Sequence, residues 1–398
     1  MILTVTLNTA LDITYRTSAL VPHTTHRVSE VIERPGGKGL NVARVLAALG
    51  HETVVTGFAG GRTGDVLREL LANPALFTGP GAGPTHGAHG EHGGHGGGPR
   101  SRPGRDTPRP RAAGQGHAAG HGPGTPSGRD GSGPAHRLGG GRSGHHRHGA
   151  GTGHRPGTGP AYRITRPVDA LVPIAGSTRR TIAVVDGTSG DTTQLNEPGP
   201  TVSAAEWNAF LSAYERLLTG AEAVALCGSL PPGIHVGAYA ELVRRARGAG
   251  VPVLLDTSGE PLRRGVAARP DLLKPNAEEL AGLTGSREPL RAAQDARRRG
   301  AHAVIASLGP DGILAATPDG VWQAVPPATA KGNPTGAGDS AVAGLLSGLV
   351  ERLPWPARLS RAVALATATV LAPTAGEFDA EAYAELLPRV TVKEHPPT

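Results

Sequence analysis

The chain has 398 residues, with 40 basic and 33 acidic side chains and a formal net charge of +7. Residues 79–160 carry that whole excess, ten arginines against Glu91, Asp106 and Asp130, while the remainder holds 30 bases and 30 acids. The charge therefore gives no case for nucleic-acid binding, and the single cysteine, Cys227, excludes an intrachain disulfide. No apolar run reaches the ~20 residues of a membrane span. Residues 2–7 read at once as a strand with no secretory leader before them, so a cytoplasmic protein without membrane partners is expected.

Taken in chain order, the first strand leads into Asn8-Thr9-Ala10-Leu11-Asp12. Arg34-Pro35-Gly36-Gly37-Lys38-Gly39-Leu40-Asn41 then runs into Val42, Val45, Leu46 and Leu49, one apolar helix face closed by Gly50. This loop offers glycine amides, an ammonium and a carboxamide, a set suited to a phosphorylated polyol. A surface turn with a solvated lysine is the plainer alternative. No G-x-x-x-x-G-K-[ST] occurs, so phosphate is not held by a P-loop.

Residues 74–167 interrupt this pattern. Between 79 and 160 lie 28 of the 60 glycines and 11 of the 17 histidines, with Leu138 the only large aliphatic residue and no aromatic. Too little apolar surface is present to offset ordering entropy, and a disordered insert is expected. His86, His89, His92 and His95 recur every three residues, but the glycines between them preorganise no metal geometry, so only adventitious metal binding is expected. The 36 arginines against 4 lysines fit GC-rich coding DNA, and a compensated frame shift there produces the same composition as a genuine insertion. The chain thus divides into 1–73, the insert 74–167, and 168–398.

Beyond the insert, 181–185 and 192–195 read as hairpin strands around a polar turn. From about 221, strand-like runs at 223–226, 251–255, 272–273 and 303–306 alternate with helical segments such as 239–249 and 287–299. Such alternation predicts a parallel sheet covered by helices. Ligands gather at the carboxyl ends of such strands, where Gly228-Ser229, Lys274-Pro275-Asn276 and Ser307-Leu308-Gly309 fall. Cys227 closes a buried strand and is read as a packed thiol.

Gly332-Asn333-Pro334-Thr335-Gly336-Ala337-Gly338-Asp339 precedes Val342, Leu345, Leu346 and Leu349, which are spaced as a helix. The turn is therefore a helix N-terminus, whose unpaired N–H groups attract anions, and glycine lets a phosphate reach the backbone. A carboxylate there repels phosphate. It makes sense as the base that takes a proton from a hydroxyl attacking the phosphate. A Gly-rich loop with Asp339 as a helix cap is the plainer alternative.

These segments, with Thr178-Arg179-Arg180-Thr181, Asn196-Glu197-Pro198-Gly199, Cys227-Gly228-Ser229-Leu230-Pro231-Pro232-Gly233, Lys274-Pro275-Asn276-Ala277-Glu278-Glu279-Leu280 and Ser307-Leu308-Gly309-Pro310-Asp311-Gly312, resemble the ordered motifs of the PfkB (ribokinase-like) carbohydrate kinases. The first glycine segment is similar to the 1-phosphofructokinase and tagatose-6-phosphate kinase branch. The resemblance covers about 1–73 and 168–398. It implies a ribokinase-like α/β three-layer sandwich with a mostly parallel central sheet and a small β lid, its strands at about 171–198. It implies phosphoryl transfer from ATP with Mg²⁺ to a sugar phosphate. Asp339 becomes the base, and the amides of Gly336, Ala337, Gly338 and Asp339 the anion hole.

Asp12, Gly36, Gly37, Lys38 and Asn41 are implied as sugar contacts with Ser229 nearby, and Lys38 and Arg180 as cations for the phosphate already on the substrate. Strand alternation lets only one of Arg179 and Arg180 face the ligand. Lys274, Asn276, Ser307, Gly309 and Gly312 are implied for ATP, and Glu279 for Mg²⁺. Without the resemblance, Glu279 and Lys274 read as solvated charges. Asn333-Pro334 departs from the Asp-Thr common in the family, which weakens an ion-binding role there. Fructose 1-phosphate is the favoured acceptor, with tagatose 6-phosphate and fructose 6-phosphate as alternatives. Non-catalytic sugar-phosphate binding and a metal-buffering scaffold are the readings from another class. Lid edges imply pairing into a homodimer.

Overall fold

The computed structural model describes residues 1–73, 165–372 and 377–395. The expected insert and its histidines lie outside these residues, apart from Thr165, Arg166 and Pro167. Those three belong to the folded part: Thr165 Oγ1 donates to His51 O (2.6 Å), and Arg166 Nη1 donates to Ala72 O (3.0 Å).

The first half runs β1 (Ile2–Thr6), β2 (Ala10–Thr17), β3 (Glu30–Gly36), α1 (Lys38–Ala48), β4 (Thr53–Ala59) and α2 (Gly61–Ala72). After the insert come β5 (Val168–Asp169), β6 (Val172–Pro173), β7 (Arg179–Asp186), β8 (Thr192–Asn196), α3 (Ala204–Leu218), β9 (Ala223–Cys227), α4 (Ala238–Gly248), β10 (Val253–Asp256) and α5 (Gly259–Ala267). The chain continues through β11 (Leu272–Leu273), α6 (Ala277–Thr284), α7 (Pro289–Arg298), β12 (Ala303–Ser307), β13 (Ile313–Ala316), β14 (Val321–Val325), α8 (Ala337–Val350), α9 (Trp355–Leu371), α10 (Ala380–Leu386) and β15 (Thr391–His395). The predicted strands and helices are all present. The strand expected at 251–255 starts two residues late, because the Val251 amide closes the end of α4 on Ala246 O (2.9 Å) and Pro252 has no N–H to give.

The large sheet has the order β15-β14-β13-β12-β11-β10-β9-β1-β4-β5, with β6 also on β4. Strands from β12 to β5 are parallel, and β13 to β15 extend the edge antiparallel. Alternation sorts its side chains. Val224 and Leu226 of β9 face a core with α3 to α7, while Ala223, Ala225 and Cys227 face one with α1, α8, α9 and α10. Buried on both faces, the strands make the middle of a three-layer sandwich. Gly344 of α8 lets α9 approach so closely that a Cβ there would lie 2.8 Å from Ala362 Cα. No helix among the described residues is long and apolar enough to cross a membrane.

A second sheet, β3-β2-β7-β8, is the small β lid expected near 171–198, built jointly with strands from the N-terminal part. β2 and β7 pair in parallel with Asp12 opposite Thr181, and β2 and β3 pair antiparallel with Asp12 opposite Arg34.

Candidate active site

The carboxyl ends of β1, β9, β10, β11 and β12 open towards the N-terminus of α8, and the charged groups there fall into two sets. The first surrounds Asp339. Gly336 takes φ +86 as the N-cap of α8, which places Asp339 in the first helical turn, and the residue is only 7% exposed. Asn41 Nδ2, from α1, donates to Asp339 Oδ2 at 2.9 Å. Burial pushes the Asp339 pKa up to about 6 against the pull of Lys38, and the charge of Asp256 adds to the rise. The amides of Gly338 and Asp339 have no acceptor among the described residues, as the anion hole requires. The amide of Ala337 differs from the expectation: it closes the turn on Pro334 O (3.2 Å), so it is not turned to an anion.

Asp256, at the end of β10, joins this set. It is 1% exposed, pairs with Lys38 Nζ at 3.0 Å, and has Lys274 Nζ 3.5 Å from its other oxygen, an ion pair too loosely aligned to be a hydrogen bond. Burial pulls the Lys38 pKa down, but Asp256 and Asp339 together hold it above its ordinary value. Lys274 lies against the turn, since a Cβ on Gly338 would stand 3.6 Å from its Nζ. Two ammoniums, two free amides and two buried carboxylates, Asp256 and Asp339, thus meet at the first turn of α8.

The second set surrounds Asp12 on the lid. Gly36 brings its backbone so close that a Cβ would fall 2.1 Å from the Asp12 carboxyl. Burial pushes the Asp12 pKa up to about 6, opposed by Arg179, by a hydrogen bond from Thr181 and by Arg44. Register explains the choice between the two lid arginines: Asp12 is opposite Thr181, so Arg179 shares its face and Arg180 does not. Arg179 donates to Asn8 O (3.3 Å) and Glu197 O (3.1 Å). Arg180 instead points outward and pairs with Glu197 at 2.6 Å, so Arg179, and not the expected Arg180, is the lid arginine on the Asp12 face. Ser229 lies beside this set, its Oγ accepting from Asn8 Nδ2 at 3.2 Å. Gly37, at φ +111, starts α1 between the two sets. Lys38 sits with Asp339 and not with Asp12.

On the third side, Asn276 caps α6. Its side chain accepts from the Glu279 amide (2.8 Å), and Glu279 Oε2 accepts from the Asn276 amide (2.9 Å). Asn276 also bridges to Ser307, which puts Lys274, Asn276 and Ser307 on one wall. Gly309 (φ +62) and Gly312 (φ +83) shape the turn after β12, where a side chain on Gly312 would meet Ala324 O. Asn333 does not reach this site. Its Oδ1 accepts from the Thr335 amide (3.0 Å), and its amide donates to Val370 O (3.0 Å), a turn-forming role.

A family model for pfkB family carbohydrate kinases matches residues 5–76 and 167–382. The chain is a member of this family. Among solved structures, phosphofructokinase-2 from Escherichia coli in complex with potassium superposes with a TM-score of 0.70 at 23% identity, over 98% of this chain and 98% of that one. The same enzyme with fructose-6-phosphate gives 0.68 at 24%, over 97% and 98%. A Thermotoga maritima protein described as a possible 1-phosphofructokinase gives 0.70 at 23%, over 99% of each chain. At these identities the solved structures establish the fold. The pfkB kinase therefore transfers a phosphoryl group to a carbohydrate hydroxyl.

Kinases of this family take that group from ATP, usually with Mg²⁺. Glu279 fits a Mg²⁺ role: one oxygen is held by the cap, the other has no hydrogen bond among the described residues, and Mg²⁺ takes one or two carboxylates with phosphate and water oxygens. Glu279→Gln keeps the acceptor for the cap and loses the charge. Its melting temperature should stay within about 2 °C of wild type, by an intact capping box, while the Mg²⁺ needed for half-maximal rate rises several-fold. An unchanged Mg²⁺ titration would leave Glu279 with the cap alone. Asp256 and Arg179 are the two members of the site that sequence reading did not choose.

Proposed function

We propose that this pfkB kinase is a sugar-phosphate kinase, most consistent with 1-phosphofructokinase, which converts fructose 1-phosphate and ATP to fructose 1,6-bisphosphate and ADP. The observation that carries the reading is the separation of the two charged sets. A phosphorylated acceptor needs cations at two places, one for the phosphoryl group in flight and one for the phosphate it already carries. Lys38 and Lys274 stand at the base and Arg179 at Asp12, while Arg44, behind Asp12, is buried against Glu377 at 3.0 Å. This reassigns Lys38 from the resident phosphate to the transferring one.

In the mechanism, Asp12 and the backbone at Gly36 and Gly37 hold the sugar, and Arg179 takes its phosphate. Asn41 Nδ2 occupies Asp339 Oδ2, so Oδ1 is the oxygen that accepts the proton. The freed oxygen attacks the γ-phosphorus, and an O–P bond forms as the bond to the bridging β,γ-oxygen breaks. ADP leaves with that electron pair. The amides of Gly338 and Asp339, with Lys38 and Lys274, stabilise the equatorial charge. Lys274, Asn276, Ser307, Gly309 and Gly312 hold ATP, and Mg²⁺ bound at Glu279 would neutralise phosphate charge.

The forms Gly36-Gly37-Lys38-Gly39-Leu40-Asn41 and Asn8-Thr9-Ala10-Leu11-Asp12 fit fructose 1-phosphate and tagatose 6-phosphate better than fructose 6-phosphate, and do not separate the first two, of which we take fructose 1-phosphate. Steady-state kinetics with the three sugars at saturating MgATP test this. The highest kcat/KM with fructose 1-phosphate supports the reading. A tenfold preference for either of the others replaces the substrate and leaves the reaction.

A further inference from the structure

The Asn8-to-Asp12 segment contributes Asp12 to the site, but Asn8 itself has no part in the mechanism above. It is nevertheless 7% exposed and stands where three chain segments meet. Its Nδ2 donates to Pro198 O, on the segment returning from the lid, at 3.1 Å, and to Ser229 Oγ, on the loop after β9, at 3.2 Å. A carbonyl can only accept, so the amide orientation is set by Pro198. The Asn8 carbonyl receives Nε of Arg179 (3.3 Å), and the same arginine reaches Glu197 O (3.1 Å). The remaining atom, Asn8 Oδ1, is buried without a partner among the described residues. It faces the Cα of Gly199 so closely that a Cβ there would lie 2.2 Å away, and Gly199 holds φ +99. The small residue at 199 is thus what allows the carboxamide to fill this junction.

We propose that Asn8 is a positioning residue for the acceptor sugar: it joins the base of the lid to the Ser229 loop and so holds Arg179 in the orientation that faces Asp12. It acts through Arg179 and Ser229 rather than touching the substrate. The kinetic part of this inference rests on the sugar-phosphate reading; the structural part does not. A side chain that merely filled space would be replaceable by any residue of its size. One that ties the lid loses its effect with the donor, or when Gly199 is given a side chain.

The test uses the full-length protein and two readouts. Amide hydrogen exchange of the ligand-free protein reports the lid directly, whatever the substrate. In Asn8→Ala, amides in 179–186 and 192–197 should exchange about tenfold faster, while those of β9 to β12 are unchanged. In kinetics with the preferred sugar phosphate, Asn8→Ala should raise the sugar KM about tenfold, the size expected for two neutral hydrogen bonds. The KM for ATP and kcat should stay within about twofold. Gly199→Ala should reproduce the same split from the other side of the contact. Asn8→Ala/Ser229→Ala should be no worse than the two effects sharing one path allow, that is, less than their product. Unchanged exchange in 179–197 for Asn8→Ala overturns the proposal. So does a KM rise shared equally by sugar and ATP, or full multiplicativity with Ser229→Ala. If none of the three sugar phosphates is turned over by wild type, the substrate reading fails and the exchange result alone decides the role of Asn8.

Discussion

Asp339→Asn should fold normally and lose about 10²- to 10⁴-fold in kcat, the usual range for removing a general base. The argument is local. The residue sits on the first turn of α8, where a carboxylate would oppose the phosphate we propose that turn to bind, and burial raises its pKa to about 6. That value suits a base at neutral pH. The wild-type kcat/KM should therefore fall as pH drops through about 6, and because Asp12 also titrates near 6, the limb should be steeper than one proton. Asp12→Asn should retain a one-proton limb from Asp339.

The same shift fixes the sign of a stability effect. The folded-state pKa of Asp339 lies above the unfolded value, so between about pH 4 and 6 the native state holds a proton the unfolded chain has lost. The stability this group contributes is complete below that window and gone above it. Asp339→Asn should then melt higher than wild type at pH 8, by an amount on the order of 2–3 kcal/mol, with the difference closing towards pH 4. Scanning calorimetry across that range checks it. A variant both slower and more stable marks a strained catalytic group; one that is slower and less stable marks a structural one.

Arg179→Ala should raise the KM for the sugar phosphate about 30- to 100-fold, whereas Arg180→Ala should change it less than about twofold. Charge-assisted hydrogen bonds to a phosphate are worth roughly 1.5–3 kcal/mol, and an exposed ion pair such as Arg180 with Glu197 little. A second readout separates binding from packing. Removing the Arg179 charge leaves Asp12 with less positive potential, so its pKa rises and the acid limb moves to higher pH. Arg179→Lys should restore the limb but only part of the KM, since an ammonium keeps the charge and loses the two-pronged donor geometry. Equal effects from positions 179 and 180 would overturn the assignment.

How far these residues could be read from sequence depends on the distance over which each is determined. The alternation of apolar runs with helical segments after 221 is local chemistry, and the sheet follows it. The Gly336-to-Asp339 turn was legible because the apolar spacing after it marks a helix start. Arg179 was not separable from Arg180, because alternation says that one faces in and only the register of β7 on β2, formed across most of the chain, says which. Asp256 gave no signal at the end of Val253-Leu254-Leu255; its meaning comes from Lys38 and Lys274, brought to it by α1 and β11. The capping box of Asn276 and Glu279 was visible as N-x-x-E before an apolar helix, and reading Glu279 for metal alone passed over it. The closed amide of Ala337 depends on the turn's exact path through Pro334, which composition does not reveal.

The most direct measurement is a coupled titration of ADP released against fructose 1,6-bisphosphate formed, with MgATP and fructose 1-phosphate, for wild type and Asp339→Asn side by side. The account predicts one ADP per bisphosphate in wild type and a rate at least about 10²-fold lower in the variant, with fructose 1-phosphate still bound. Near-equal rates would contradict the assignment of Asp339, and ADP without bisphosphate would contradict the transfer itself.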